Sequence, residues 1–185
     1  MAFIKVIQEN EAEGKLKEIY NNLISKRGNI AEVHKIQSLN PESIINHMDL
    51  YMTIMFGQSP LKRAQREMIA VVVSKANNCE YCQLHHAEAV NHYWKDDEKI
   101  KQLKEDYTKL DLTEQDMLLC DYAWALTKTP GNETELSYIG TLKNKGLTDR
   151  SILDATLVIA YFNFVNRIVL GLGVHVEENV GGYKY

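Results

Sequence analysis

The chain has 185 residues, of which 45% are hydrophobic and 25% charged, and its formal net charge at pH 7 is −4. These totals suit one compact globular domain, residues 1–185, with a sizeable core, and the acidic balance without a polybasic run argues against nucleic acid or anionic membrane as a partner. The N-terminal Met1-Ala2-Phe3-Ile4-Lys5 lacks the long apolar stretch of a signal peptide and no segment reads as a membrane span, so the expected address is cytoplasmic.

Three prolines, Pro41, Pro60 and Pro130, and the lack of alternating β-branched segments predict an all-α, single-domain helical bundle. A first amphipathic helix is expected from about Glu9 to Lys26, with Leu16, Ile19, Tyr20, Leu23 and Ile24 on its apolar side, broken by Gly28-Asn29. A short helix carrying Val33, Ile36 and Leu39 precedes one from Pro41 to about Phe56, capped by Asn40. Ser59-Pro60 opens the next, which carries Glu67 and continues to about Ala76. Its Met68–Val73 segment is apolar on every side and so reads as buried. Asn77-Asn78 turns the chain and caps a helix bearing Cys79 and Cys82. A charged helix follows, from about Glu98 to Tyr107. Thr113 with Asp116 then opens a helix from Glu114 to about Thr127, which Pro130-Gly131-Asn132 ends. A shorter helix, about Glu133 to Asn144, stops at Gly146. Thr148 caps a long last helix to about Leu170, before a tail with Gly171, Gly173, Gly181 and Gly182.

The chemistry concentrates in Asn77-Asn78-Cys79-Glu80-Tyr81-Cys82-Gln83-Leu84-His85-His86. On a helix, Cys79, Cys82 and His86 fall within about 60° of one another, while His85 lies roughly 60° further round. Two thiols and an imidazole therefore share one stripe at a helix start, where thiols ionise more readily and a close pair can form a disulfide. In the cytoplasm a CxxC is more often catalytic or metal-binding than structural. Zinc held by Cys79, Cys82 and one of the two histidines is one alternative, but a closed site needs four ligands, normally from separate segments. Covalent haem is excluded because Gln83 stands where a histidine is required. Redox or peroxide chemistry needs a thiolate, a base and a second thiol, and Cys82, Cys79 and His86 are one of each kind.

Glu67 shares its stripe with Ala70, Val71, Ser74 and Asn78. It is either a buried carboxylate that completes a proton relay with His86, if the two helices run antiparallel, or a surface carboxylate paired with Lys62, Arg63 or Arg66. Cys120, among Met117, Leu118, Leu119 and Ala123, reads as core. Asn163, Asn166 and Arg167 form a polar stripe on an apolar helix, suiting a buried network or subunit contact more than a site wall. His34, His47 and His92 have no visible partners and read as ordinary surface or boundary residues, and His175, near the glycine-rich tail, is uninformative.

Glu67…Cys79-x-x-Cys82-x-x-x-His86 resembles the alkylhydroperoxidase D core of the carboxymuconolactone decarboxylase-like superfamily. Arg66-Glu67-Met68-Ile69-Ala70-Val71, His85-His86-Ala87-Glu88 and Tyr161-Phe162-Asn163-Phe164-Val165-Asn166-Arg167 resemble its peroxidase-related branch. The resemblance implies an all-helical protomer in a homo-oligomer, with a redox core at about 41–94 and the CxxC at the start of a core helix. It also implies a cysteine-based peroxidase with Cys82 attacking peroxide, Cys79 resolving, and His86 with Glu67 as proton relay. No cofactor or metal is expected; the implied partners are a peroxide substrate and a dithiol reductant. Alkylhydroperoxidase D proteins carry a further histidine between the cysteines, where this chain has Tyr81. Decarboxylase members of the superfamily lack the cysteine pair, so a decarboxylase-like enzyme is the alternative activity and a zinc-stabilised helical oligomerisation module the non-enzymatic one.

Overall fold

The computed structural model of the protein describes residues 2–131 and 134–177, and every regular element among them is helical. In chain order these are α1 (Gly14–Arg27), α2 (Glu32–Lys35), α3 (Pro41–Tyr51), α4 (Arg63–Ala76), α5 (Glu80–Trp94), α6 (Asp97–Asp106), α7 (Glu114–Lys128), α8 (Thr134–Asn144) and α9 (Asp149–Leu172). α3 continues into a π-helical turn, Met52–Phe56, and α6 into a 3-10 turn, Tyr107–Lys109.

α4 is the axis of the bundle. A helix that is apolar all round cannot leave a face in water, and α5, α6, α7 and α9 enclose this one. Met68, Ile69, Ala70, Val71, Val72 and Val73 are each 1% exposed or less. Burying a side chain of Val, Ile or Met size contributes about 1.5–3 kcal/mol, so this segment is a main source of stability. All of that covering comes from within the chain, so this segment leaves no apolar surface for a second copy. A smaller cluster forms where Leu16, Ile19, Tyr20 and Leu23 of α1 meet Ile30 and Ile44.

Several boundaries differ from those the sequence suggests, each for a local reason. α1 begins at Gly14 and not near Glu9, because Glu11 N–H turns back to the Gln8 carbonyl at 3.0 Å. Ile24 and Leu39 are exposed. Asn40 precedes α3, but its side chain makes no cap; its carbonyl accepts instead from Ser43 N–H and Oγ. The helix expected to run to Phe56 widens after Tyr51, and Gly57 ends it by donating to the Met52 and Thr53 carbonyls at 3.1 and 3.2 Å. A Cβ at Gly57 would lie 2.4 Å from the Thr53 oxygen, so only glycine fits there. α4 starts at Arg63, after Pro60, with the Gln65 side chain accepting from Lys62 N–H at 2.9 Å. Thr113 and Thr148 cap α7 and α9 through their side chains, as their spacing suggests. Gly181 and Gly182 lie outside the described residues.

α9 has the length and apolar composition of a membrane span, which reading the sequence had not suggested. It nevertheless packs against α4, α7 and α8 and buries polar groups that have partners within the chain. Asn166, fully buried, accepts from Asn77 Nδ2 at 3.0 Å and donates to Ser74 Oγ at 3.2 Å. Asn163 accepts from the same Asn77 amide at 3.1 Å and donates to Thr127 Oγ1 at 3.0 Å. Arg167 binds back to the Asn163 carbonyl and side-chain oxygen at 2.7 and 2.8 Å, so its partner lies on its own helix. This polar stripe ties α9 to the turn that presents Cys79.

Asn166→Ala should leave the Asn77 amide short of an acceptor and lower unfolding stability by about 1–3 kcal/mol. Urea denaturation measures this, and a variant within 0.5 kcal/mol of wild type (roughly the scatter of neutral surface changes) would show that the network is dispensable.

Candidate functional site

The site is built on the turn between α4 and α5. Asn77 ends α4, and Asn78 takes a left-handed conformation at φ 58°, which asparagine tolerates better than most residues. Cys79 N–H then donates to the Ser74 carbonyl at 2.8 Å. This sharp reversal makes Cys79 the residue preceding the first turn of α5 and places Cys82 inside that turn. The sequence assigns the cap to Asn77-Asn78; Cys79 occupies it, although its sulfur makes no full capping bond.

Glu67, on the adjacent helix, has no exposed surface. Its Oε1 accepts from Arg63 Nε at 2.7 Å and Nη2 at 2.5 Å, and its Oε2 accepts from His86 Nδ1 at 2.6 Å. Burial by itself would raise this carboxyl. The His86 ring and then the Arg63 guanidinium outweigh it and hold the group below its ordinary value of 4.5. Glu67 is thus the buried carboxylate of the first alternative and not the surface group of the second, although Arg63, a partner named in the second, does pair with it. Arg63 is itself fixed, donating to the Met55 carbonyl at 3.0 Å with its guanidinium 3.5 Å from the centre of the Phe56 ring. The π-helical turn after α3 thus steadies the arginine that steadies the glutamate.

Cys79 and Cys82 are both reduced and buried. Hydrogen bonding from the Cys82 thiol lowers Cys79 against the opposing effect of burial, with a further contribution from the Cys82 backbone N–H. The same contact, with burial, pushes Cys82 well up. One thiol thus ionises at the other's expense, and Cys79 is the more acidic of the two. Cys82, and not Cys79, lines an internal cavity of about 80 Å³ whose walls also include His85, His86, Tyr51, Tyr161 and Phe162. The His86 ring stands edge-on to Phe162 with centroids 4.4 Å apart. Cys120 is fully buried elsewhere in the core, where burial raises its thiol.

Three features of this cavity had no signal in the sequence. Glu177, just beyond α9, accepts from Tyr81 Oη, Glu32 N–H and His85 Nε2, each at 2.8 Å. Burial opposes this carboxyl's ionisation, but His85, the Glu32 N–H and Tyr81 bring it down to about 2. Tyr81, at the position between the cysteines, therefore anchors the segment after α9. His34 and His47, read from sequence as surface or boundary histidines, are 9% and 4% exposed and line the cavity. Burial lowers both, His47 to about 4. His175 is exposed. His86 is turned to Glu67 and His85 to Glu177, and the described residues contain no group of three or more His, Cys, Asp or Glu side chains placed to hold one metal ion.

Residues 46–103 match the carboxymuconolactone decarboxylase family. The fold is similar to an uncharacterized peroxidase-related protein of Silicibacter sp. TM1040, at 26% identity and TM-score 0.82, covering 96% of this chain and 90% of that one. It is similar to the alkylhydroperoxidase AhpD core, peroxidase-related protein of Ralstonia eutropha JMP134, at 22% identity and TM-score 0.82, covering 96% and 93%. A Cys-to-Ala form of the debrominase Bmp8, in complex with 2,3,4-tribromopyrrole, shares the fold at 16% identity and TM-score 0.76, covering 95% and 91%. No curated protein matches the chain. The family match over residues 46–103 and the shared fold support the resemblance to the alkylhydroperoxidase D-like, carboxymuconolactone decarboxylase-like superfamily.

Because Glu67 is held below the ordinary carboxyl value, its contribution to stability is present above about pH 4.5 and is lost as pH falls through its lowered value. Glu67→Gln leaves Arg63 partly buried without its counter-charge and should cost about 3–5 kcal/mol at neutral pH. It should also flatten the loss of stability below pH 4.5. Urea titrations at a series of pH values test both; parallel curves for the two proteins would count against an ionised Glu67.

Proposed function

We propose that the protein is a cytoplasmic dithiol peroxidase that reduces hydrogen peroxide or an alkyl hydroperoxide. The observation that carries this reading is that Cys82 alone of the pair lines the cavity, with Cys79 hydrogen-bonded to it, and that His86, backed by Glu67, lines the same cavity.

In this reading the Cys82 proton leaves along its contact with Cys79 or to His86, whose Nδ1–H is committed to Glu67 and whose Nε2 is the remaining basic nitrogen. The Cys82 thiolate attacks the terminal oxygen of ROOH. The S–O bond forms as the O–O bond breaks, and the departing oxygen keeps the electron pair and takes a proton, giving ROH and Cys82 sulfenic acid. Cys79 then attacks the Cys82 sulfur and displaces water, leaving a disulfide. The balance is two thiols and ROOH to one disulfide, ROH and H₂O. A dithiol reductant restores the pair by thiol–disulfide exchange.

The reading includes a homo-oligomer. Leu153, Leu157 and Phe164 are 53%, 41% and 47% exposed and share one stripe of α9, an apolar face that suits a second copy of the chain.

Limiting peroxide should oxidise Cys82 and Cys79 and spare Cys120. Cys79→Ser should stall at sulfenic or overoxidised Cys82, and Cys82→Ser should abolish peroxide consumption. His86→Ala should slow the reaction about 10²–10⁴-fold. Peptide mass spectrometry and a peroxide-consumption assay decide the matter; oxidation confined to Cys120, or wild-type kinetics from the Cys82 variant, would overturn the assignment.

A further inference from the structure

Val33, His47 and Tyr161 of the cavity lining belong to a hydrogen-bonded chain, completed by Gln37, that the reaction steps above leave unused. The Val33 carbonyl can only accept, so the group 2.7 Å from it must be the Gln37 amide nitrogen. That same nitrogen lies 2.8 Å from His47 Nδ1. With both its hydrogens so directed, Gln37 obliges Nδ1 to accept, which places the proton of the neutral ring on Nε2. His47 Nε2 is 2.7 Å from Tyr161 Oη, so this bond runs from histidine to tyrosine. Burial of His47, whose ring titrates at about 4, keeps the ring neutral at working pH and the direction of the chain fixed.

The consequence falls on Tyr161. Its oxygen is occupied as an acceptor, so its own O–H must point elsewhere, and among the described residues no protein acceptor takes it. Tyr161 and Cys82 are both on the wall of the same cavity of about 80 Å³. A molecule small enough to enter and react at Cys82 therefore meets a phenol aimed as a donor. Tyr161 is 5% exposed and His47 4%, so bulk water does not compete freely for that hydrogen.

We infer that Tyr161 is a substrate-contacting residue whose hydroxyl, oriented by His47 and Gln37, donates a hydrogen bond to the oxygen that departs when Cys82 opens a hydroperoxide. The inference rests on the peroxidase reading and narrows it to a substrate class. An alkoxide departing from an alkyl hydroperoxide is a poor leaving group, and a fixed donor stabilises the charge as the O–O bond breaks. A peroxy acid releases a carboxylate, which needs little such help. The site is thus suited to hydroperoxides whose departing oxygen is strongly basic, over peroxy acids. His47 and Gln37 act through Tyr161 as positioning residues. The burial that disfavours the phenol's own ionisation keeps it a donor and not a proton source; the proton that completes the alcohol comes from His86 or solvent.

The test compares sulfenic acid and disulfide formation, by rapid mixing and quench, with tert-butyl hydroperoxide and with peracetic acid. Tyr161→Phe should slow the first roughly 10- to 100-fold and the second only a few-fold. His47→Leu should show the same selective loss, and His47→Gln should recover most of it, because the glutamine amide N–H can take the place of Nε2–H. Alkylation of Cys82 by iodoacetamide, whose departing iodide needs no donor, is the control for thiol integrity. Should Tyr161→Phe fail to fold, the contrast between the two His47 variants decides the question alone. Equal losses for the two peroxides, or none, would overturn the inference while leaving a reactive wild type as a peroxidase. A wild type inert to both peroxides would remove the peroxidase reading and this inference with it.

Discussion

A carboxylate with no exposed surface sits at the centre of this fold, and the rest of the site depends on how its charge is met. An unpaired Glu67 would be neutral or would break the core. It is accommodated because Arg63, one turn earlier on α4, and His86, on α5, both donate to it. Those bonds constrain more than one side chain. They set the register of α4 against α5, orient an imidazole that lines the same cavity as Cys82, and require Arg63 to stay in place, which the Met55 carbonyl and the Phe56 ring ensure. The π-helical turn and Gly57 belong to the same arrangement, because that turn supplies carbonyls to both Arg63 and Arg66.

The second constraint is the reversal at Asn77–Cys79. Asn166 and Asn163 hold the turn from α9, Asn78 supplies the left-handed residue, and Cys79 closes onto Ser74. The two thiols are then brought into hydrogen-bond contact with different surroundings, Cys82 on the cavity and Cys79 off it. Such asymmetry is what a two-step thiol reaction requires, since one sulfur must meet the substrate and the other must be ready behind it. The helical scaffold positions the thiols, and Tyr161, His47 and the Glu177 anchor complete their surroundings.

Much of this was legible in the sequence for identifiable reasons. The all-round apolar Met68–Val73 segment announces a buried helix, and helical geometry puts Cys79, Cys82 and His86 on one stripe. Thr113 and Thr148 mark helix starts that the structure contains. Asn163, Asn166 and Arg167 stood out because polar groups on an apolar helix oblige a partner, and those partners lie within the chain. What could not be read depends on contacts between distant segments. Nothing local distinguishes His47 from a surface histidine; its role arises from Gln37 and from Tyr161, 114 residues away. Glu177 is one of many acidic residues and acquires meaning only where it meets Tyr81 and His85. The π-helical widening after Tyr51 answers to the arginines of α4, which a local pattern does not reveal. The span-like composition of α9 shows the reverse case, a strong local pattern whose meaning is set by packing.

Buried, ionised Glu67 fixes the His86 ring with its proton on Nδ1 and leaves Nε2 to the site. Nitrogen NMR of ¹⁵N-histidine-labelled protein near neutral pH observes this directly. His86 should be held as the Nδ1–H tautomer, with a strongly downfield, slowly exchanging Nδ1 proton that is lost in Glu67→Gln. A His86 ring carrying its proton on Nε2, or averaging freely between tautomers, would contradict it.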